Sequence, residues 1–119
     1  MYDSIFVILS VLFIKHWYID FVNQSDEEVH WKGTYFDWRG VKHSLKHGVA
    51  TAFIMLFFVY DFELAVVLGF FDFVFHYHID YCKIKFGNKD ITTKAFWAQL
   101  GFDQLAHSLT YLWLVWLIV

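Results

Sequence analysis

The sequence predicts an all-α integral membrane protein, a four-helix bundle with up-and-down topology. Apolar residues make up 59% of the chain, proline is absent, and charged residues make up only 18%. That is too little charge to cover the surface of a soluble domain of this size. The charges also concentrate in 23–46 and 83–94. A length of 119 residues predicts a single domain covering 1–119.

Four apolar stretches have the length of membrane-spanning helices, at about residues 4–22, 43–60, 63–82 and 95–119. A helix rises about 1.5 Å per residue and needs roughly 17–25 residues to cross a bilayer. The first stretch lacks a basic start and a small-residue cleavage site. We therefore interpret it as a retained helix and not as a signal peptide.

The connections between these helices differ in length and polarity. Residues 23–42 form a polar connection that is long enough for a short surface helix or an ordered loop. Only Asp61 and Phe62 separate the second and third stretches, which predicts a tight antiparallel hairpin. Residues 83–94 contain Gly87-Asn88, a dipeptide typical of a turn.

The basic residues predict the orientation. All of them lie near the first or the third connection: Lys15, Lys32, Arg39, Lys42, Lys46, Lys83, Lys85, Lys89 and Lys94. In an up-and-down bundle these two connections share one side, which the positive-inside rule makes cytoplasmic. We expect a bacterial inner-membrane protein with both termini on the non-cytoplasmic side. The sequence has no basic arm of the kind that binds nucleic acid, so we expect no nucleic-acid partner.

Each apolar stretch carries a pair of histidine or aspartate residues four positions apart. The pairs are His16 and Asp20, His43 and His47, His76 and Asp80, and Asp103 and His107. A separation of four places both side chains on one face of a helix, one turn apart. The pairs lie near the ends of the first and third helices and near the starts of the second and fourth. In an alternating bundle all four therefore meet in one layer at the cytoplasmic face.

Such a layer predicts a metal site, because ionisable side chains inside membrane helices are costly and mark functional positions. Eight potential ligands exceed the roughly four that zinc takes, so we expect a dinuclear site like those of soluble helix bundles. The nitrogen and oxygen donors suit zinc first, and also manganese or iron. The single cysteine, Cys82, offers no thiolate cluster. The alternative is an interhelical hydrogen-bond network without metal.

Other polar residues have secondary roles in this interpretation. Asp72 is an additional ligand or an acceptor behind the ligands, and Gln24 and Gln104 orient the neighbouring aspartates. Lys83 recognises phosphate, or it is an ordinary headgroup anchor. His78 lies on another face of its helix. Glu27, Glu28 and His30 are solvated loop residues unless one of them folds over the site.

The motifs KHWYIDFVNQ, VKHSLKHG, FHYHIDYCKIK and FWAQLGFDQLAHSLTY resemble an uncharacterised family of small bacterial and phage integral membrane proteins. That family has the order HxxxDF…Q, a central histidine motif, HxxxDxxK and DQxxH. The resemblance extends from about His16 to Tyr111. There is a looser similarity to membrane-bound proteins classed as metal-dependent hydrolases, and the aromatic richness is similar to that of a phage-derived member.

These observations favour a metal-dependent hydrolase of a lipid or lipid-linked ester or phosphoester at the cytoplasmic leaflet. An aspartate that is not used as a ligand, such as Asp103, would be the general base, and Lys83 would attract the anionic headgroup. Membrane lipid is the expected partner, together with a second copy or a host membrane protein. Two alternatives remain: a di-iron membrane oxidoreductase, and a non-catalytic metal-stabilised scaffold that binds a partner.

Overall fold

The computed structural model describes residues 2–119, which form five α-helices and no strand. The helices are α1 (Tyr2–Trp17), α2 (Asp26–Trp31), α3 (Trp38–Val59), α4 (Phe62–Phe86) and α5 (Lys94–Leu117). A π-helical turn, Tyr18–Val22, continues α1. The all-α prediction is confirmed, and the four predicted apolar stretches are the four long helices.

Side chains at the helix starts explain where the helices begin. Ser25 accepts a hydrogen bond from the backbone N–H of Glu28, whose carboxylate accepts one from the backbone N–H of Ser25. Asp37, Asp61 and Thr93 each accept a backbone N–H bond at the starts of α3, α4 and α5. Such caps satisfy donors that the first turn of a helix leaves unpaired.

The first connection is shorter than predicted. Residues 23–42 contain α2, and α3 begins at Trp38, earlier than the predicted start at about residue 43. The polarity of 38–42 suggested a loop, but the Asp37 cap starts the helix there. The helix α4 likewise continues through the charged residues Lys83 and Lys85 and ends at Phe86.

The four long helices pack in a ring. The helix α3 lies along α4, α4 along α5, and α1 contacts both α3 and α5. Helix α2 packs on α3. It also lies close to the end of α4 and the start of α5, where all three line one cavity. The two basic connections therefore meet at the same end of the bundle.

The interior is divided into an apolar half and a polar half. The apolar half, far from α2, contains Ile8, Leu12, Met55, Leu68 and Leu114. The polar half contains the buried histidines and aspartates, next to the two basic connections. Because burial of unpaired charge is costly, the polar half must satisfy its groups internally.

The outer surface of the long helices is rich in apolar side chains. Phe6 is 69% exposed, Phe57 62% and Trp116 71%. By length and hydropathy, two stretches could cross a membrane, Asp3–Val22 and Phe62–Phe86. The predicted crossing by α3 and α5 stays a prediction.

Candidate metal centre

All eight predicted ligands lie together in the polar half of the bundle. They form the ligand cluster: His16, Asp20, His43, His47, His76, Asp80, Asp103 and His107. The most exposed of them, His16 and Asp20, retain only 8% of their accessible surface. The spacing of four turns both members of each pair toward the bundle axis. The structure therefore brings all eight together, and their role as ligands stays a prediction.

The π-helical turn positions Asp20. The backbone N–H of Asn23 donates to the carbonyl of Tyr18 at 2.8 Å, the five-residue spacing of a π turn. Such turns often occur at functional sites. The Gln24 amide donates to the backbone carbonyl of Asp20 at 2.8 Å. Gln24 thus contacts the backbone and not the carboxylate that we predicted it to orient.

The cluster divides into three groups whose ligand atoms lie within 4.8 Å of one another. The first contains Asp20, His43, His47 and His76; the second His16, His76 and His107; the third Asp80, Asp103 and His107. His76 belongs to two groups, and so does His107. The three groups are therefore one continuous cluster.

Two carboxylates organise the histidines from opposite sides. Asp20 Oδ1 lies 2.9 Å from His43 Nε2 and 2.7 Å from His47 Nε2. Asp80 Oδ1 lies 3.1 Å from His107 Nε2, and its Oδ2 lies 3.1 Å from His76 Nε2. His76 Nε2 lies 3.5 Å from Asp20 Oδ1 and His16 Nε2 lies 3.2 Å from Asp20 Oδ2, so imidazoles from α1, α3 and α4 converge on Asp20.

His76 lies at the middle of the cluster. Its ring stacks on His47 at 3.6 Å and on His107 at 4.0 Å between ring centroids. It is fully buried, and neither ring nitrogen has a hydrogen-bond partner among the described residues. The carboxylate of Asp80 lies close to Nε2, but in a direction that gives no hydrogen bond. A buried unpaired polar group costs about 1–3 kcal/mol.

The donor set fits a divalent metal ion. Imidazole nitrogens and carboxylate oxygens bind zinc, iron and manganese, and the nitrogens of His76 lack another partner. Cys82 is exposed and belongs to none of the three groups. The buried histidine and aspartate groups could therefore hold a metal ion through nitrogen and oxygen donors.

Helix α2 covers the cluster from the side of the first connection. Lys32 Nζ lies 3.0 Å from Asp80 Oδ2, and Glu28 Oε2 lies 3.5 Å from His43 Nδ1. Lys46 donates to Glu28 at 2.6 Å. Burial raises the pKa of Glu28, but hydrogen bonds from Lys46 and from the backbone of Ser25 bring it below its ordinary value. Glu28 is therefore the residue that folds over the site, whereas Glu27 and His30 are exposed.

A second buried network lies behind His47 on the apolar side. Lys15 Nζ donates to Asp72 Oδ2 and to the Tyr111 hydroxyl, each at 3.0 Å, and lies 3.0 Å from His47 Nδ1. Thr51 donates to the same oxygen of Asp72. Asp72 is thus an acceptor behind the ligands and belongs to none of the ligand groups. Sequence reasoning missed Lys15, Thr51 and Tyr111; the only signal was a lysine within an apolar stretch.

Asp103 connects the cluster to Lys83. Asp103 Oδ2 accepts hydrogen bonds from Gln104 at 2.8 Å and from Lys83 at 3.3 Å. Asp103 Oδ1 has no hydrogen-bond partner among the described residues. Gln104 Oε1 also lies 2.8 Å from His16 Nε2, so Gln104 contacts an aspartate and a histidine of the cluster.

His78 lies outside the cluster, as predicted. It is exposed, its Nδ1 donates to the carbonyl of Val74 at 2.8 Å, and the Tyr35 hydroxyl lies 3.0 Å from its Nε2. His78 is thus a natural control for the cluster histidines.

Comparison with known protein families gives a match to the model described as "Protein of unknown function (DUF3307)", over residues 8–119. The chain belongs to this family. The matched range contains the whole ligand cluster and both buried lysines. No characterised protein and no solved structure matches the chain significantly. The predicted resemblance to an uncharacterised family is confirmed at this level, and the membrane and phage character stays a prediction.

Proposed function

We propose that this chain is a membrane protein that binds two divalent metal ions and hydrolyses an ester or phosphoester of a lipid or lipid-linked substrate. The observation that carries the proposal is the ligand cluster itself. Eight buried imidazole and carboxylate side chains from all four long helices form three overlapping groups. Burial of each polar group costs free energy unless the group finds a partner. A core that served only for packing would therefore be built from apolar side chains.

The distribution of apolar surface supports a membrane location. Large apolar side chains are exposed along all four long helices, including Ile14, Phe53, Phe70 and Leu109, while the interior holds the polar cluster. A soluble protein of this size would rarely expose so much contiguous apolar surface. Lipid would cover this surface, and the end with α2 would face the cytoplasm.

The overlap of the three groups supports two ions. The first group offers four donors, Asp20, His43, His47 and His76, which is the number that zinc takes. The second ion would lie toward Asp80, Asp103 and His107. His16, His76 and His107 form the group that overlaps both sets of donors, and we propose zinc as the preferred metal.

A bound divalent ion supplies Lewis acidity that activates a water molecule and polarises the ester or phosphoryl oxygen. The chain itself would supply the proton acceptor and the charge that attracts the substrate. Asp103 is the proposed general base if Asp80 and His107 hold the second ion without it, because Asp103 Oδ1 has no hydrogen-bond partner among the described residues. Lys83 keeps a quarter of its side chain exposed and would attract the anionic group of the substrate.

One observation favours a second candidate, a non-catalytic scaffold. Lys15 and Lys32 pair with Asp72 and Asp80 at 3.0 Å each, so part of the buried negative charge is compensated without metal. In that case the cluster would join the helices, and the outer apolar surface would bind a partner. Metal analysis distinguishes the two candidates.

The test is the metal content of detergent-purified protein, for wild type, His76→Ala and His78→Ala. We expect two equivalents of metal in the wild type and loss of both in His76→Ala, because His76 belongs to the group of the first ion and its Nε2 lies 3.1 Å from Asp80 Oδ2, a donor for the second. His78→Ala is the matched control and should retain both. A metal-free wild type, or equal metal loss in His78→Ala, would contradict the metal proposal. If the wild type binds both metal ions but hydrolyses no lipid ester or phosphoester, the hydrolase is excluded and the non-catalytic scaffold remains as the candidate function.

A further inference from the structure

A cavity of about 430 Å³ lies between α2, the end of α4 and the start of α5. It has the size of a small-molecule binding site. Its half-buried wall consists of Lys83, Ile84, Phe96 and Leu100. We call it the α2 cavity. It lies beside the ligand cluster and uses none of its eight residues.

The α2 cavity adjoins the cluster through Lys83. The Lys83 side chain lines the cavity, and its Nζ lies 3.3 Å from Asp103 Oδ2. Asp103 in turn belongs to the third ligand group. A ligand whose anionic group contacts Lys83 from within the cavity would therefore lie next to the proposed second metal position.

The wall of the cavity has the composition expected for an amphiphile. Three of its four half-buried residues are apolar, Ile84, Phe96 and Leu100, and the fourth is a cation. Among the exposed lining residues, Lys89 adds a second positive charge and Asp26 one negative charge. A ligand with an anionic head and an apolar chain could pair its head with Lys83 and bury its chain on the apolar wall.

We propose that the α2 cavity binds the phosphate-ester head of an acylated amphiphile and places it beside Asp103. This inference rests on the proposed function, because it takes the bound amphiphile to be the substrate. To the proposed function it adds the route by which the substrate reaches the ligand cluster and the chemical class of that substrate. Phosphate chemistry is shared by a lipid headgroup and a soluble phosphate, and the apolar wall favours the lipid.

The test measures binding by titration calorimetry of the metal-loaded protein in neutral detergent. The probes are dihexanoyl phosphatidic acid, its uncharged counterpart dihexanoylglycerol, and inorganic phosphate. Leu100→Trp fills the cavity, and Leu105→Trp is the matched control, since Leu105 lies on the same helix and is 51% exposed. Lys83→Met removes the charge and keeps most of the apolar stem.

We expect phosphatidic acid to bind more tightly than either other probe. Leu100→Trp should weaken this binding about tenfold or more, a factor that corresponds to one lost contact of ordinary strength. Lys83→Met should abolish the preference for phosphatidic acid over dihexanoylglycerol, and Leu105→Trp should bind as the wild type does. Lys83→Met keeps the test valid if Leu100→Trp does not fold.

Two results would overturn the inference. Inorganic phosphate that binds as tightly as phosphatidic acid would exclude the amphiphile. Phosphatidic acid binding that is unchanged in both Leu100→Trp and Lys83→Met would exclude the cavity. The metal content of the same samples tests the proposed function separately. If the protein holds two ions but the cavity variants bind phosphatidic acid as the wild type does, only the inference about the cavity is refuted. Cavity-dependent binding to a protein that holds no metal would refute the hydrolase, and the amphiphile would then be a ligand of the α2 cavity and not a substrate.

Discussion

At the scale of single residues, two buried lysines distinguish this cluster from a simple set of ligands. Lys15 and Lys32 retain 8% and 4% of their accessible surface, and they contact different members of the cluster, His47 and Asp80. Each pairs with one aspartate, Asp72 or Asp80. Lysine is almost never buried without such a partner. These contacts fix the carboxylates and histidines at positions from which they could bind metal.

Lys15→Met should strongly destabilise the protein. The substitution leaves Asp72 as a buried carboxylate without its cation, and breaking a buried pair in this way costs about 3–5 kcal/mol. Lys42→Met, at an exposed lysine, is the control and should change stability little. Thermal unfolding in detergent measures both effects.

The double variant Lys15→Met/Asp72→Met tests the reason for that loss. Replacing both members of a buried pair by apolar groups is often close to neutral, so the double variant should recover most of the stability. A double variant as unstable as Lys15→Met would show that packing around Lys15, and not its pairing with Asp72, is what matters.

At the scale of helices, the closest approach is the crossing of α3 and α4. A methyl group added at Gly69 would lie 2.5 Å from the carbonyl oxygen of Gly48 and 2.7 Å from Ala52 Cβ. Small residues at such a crossing let two backbones approach closely. The stacked rings of His47 and His76 lie on the same two helices. The crossing therefore sets the distance between two halves of the ligand cluster.

Gly69→Ala should separate α3 from α4. The added methyl group overlaps backbone as well as side-chain atoms, and overpacking of this kind costs about 1–3 kcal/mol. Metal content should fall together with the melting temperature. Gly101→Ala is the control, because a methyl group there meets nothing within 4 Å and alanine favours the helix by up to about 1 kcal/mol. Equal destabilisation by both substitutions would contradict a tight crossing.

At the scale of the whole molecule, apolar side chains cover the outer surface and fill one half of the interior, and polar groups fill the other half. The exposed large apolar residues extend over α1, α3, α4 and α5, whereas the buried ionisable groups extend from the end of the bundle near α2 to its middle, where Lys15 pairs with Asp72. Lys15 and Lys32 are buried, so the proposed membrane orientation rests on the other seven of the nine basic residues. All seven lie on or beside the two connections at that end.

Cysteine labelling can test the proposed orientation. In a Cys82→Ser background, Ile91→Cys reports on the connection between α4 and α5, and Tyr60→Cys on the turn between α3 and α4. Both positions are exposed. We expect an impermeant thiol reagent to label Tyr60→Cys in intact cells and Ile91→Cys only after lysis, because the basic end faces the cytoplasm in the proposed orientation. Labelling of both from the same side would contradict an up-and-down bundle across the membrane.

The sequence by itself was sufficient to predict the helical class, the four long helices and the eight residues that the structure brings together in the ligand cluster. These features are local: apolar length predicts a helix, and a spacing of four puts His43 and His47 on one face whatever the helix packs against. The starts of α3 and α5 could also have been predicted, since Asp37 and Thr93 are ordinary helix caps.

Only the tertiary structure showed what surrounds the cluster. Lys15 and Asp72 are 57 residues apart in the chain, and no local pattern relates Lys32 to Asp80 or brings Glu28 over His43. The α2 cavity likewise forms between three helices that are separate in sequence. Such contacts depend on how the helices are placed around one another, which side-chain packing over the whole bundle decides.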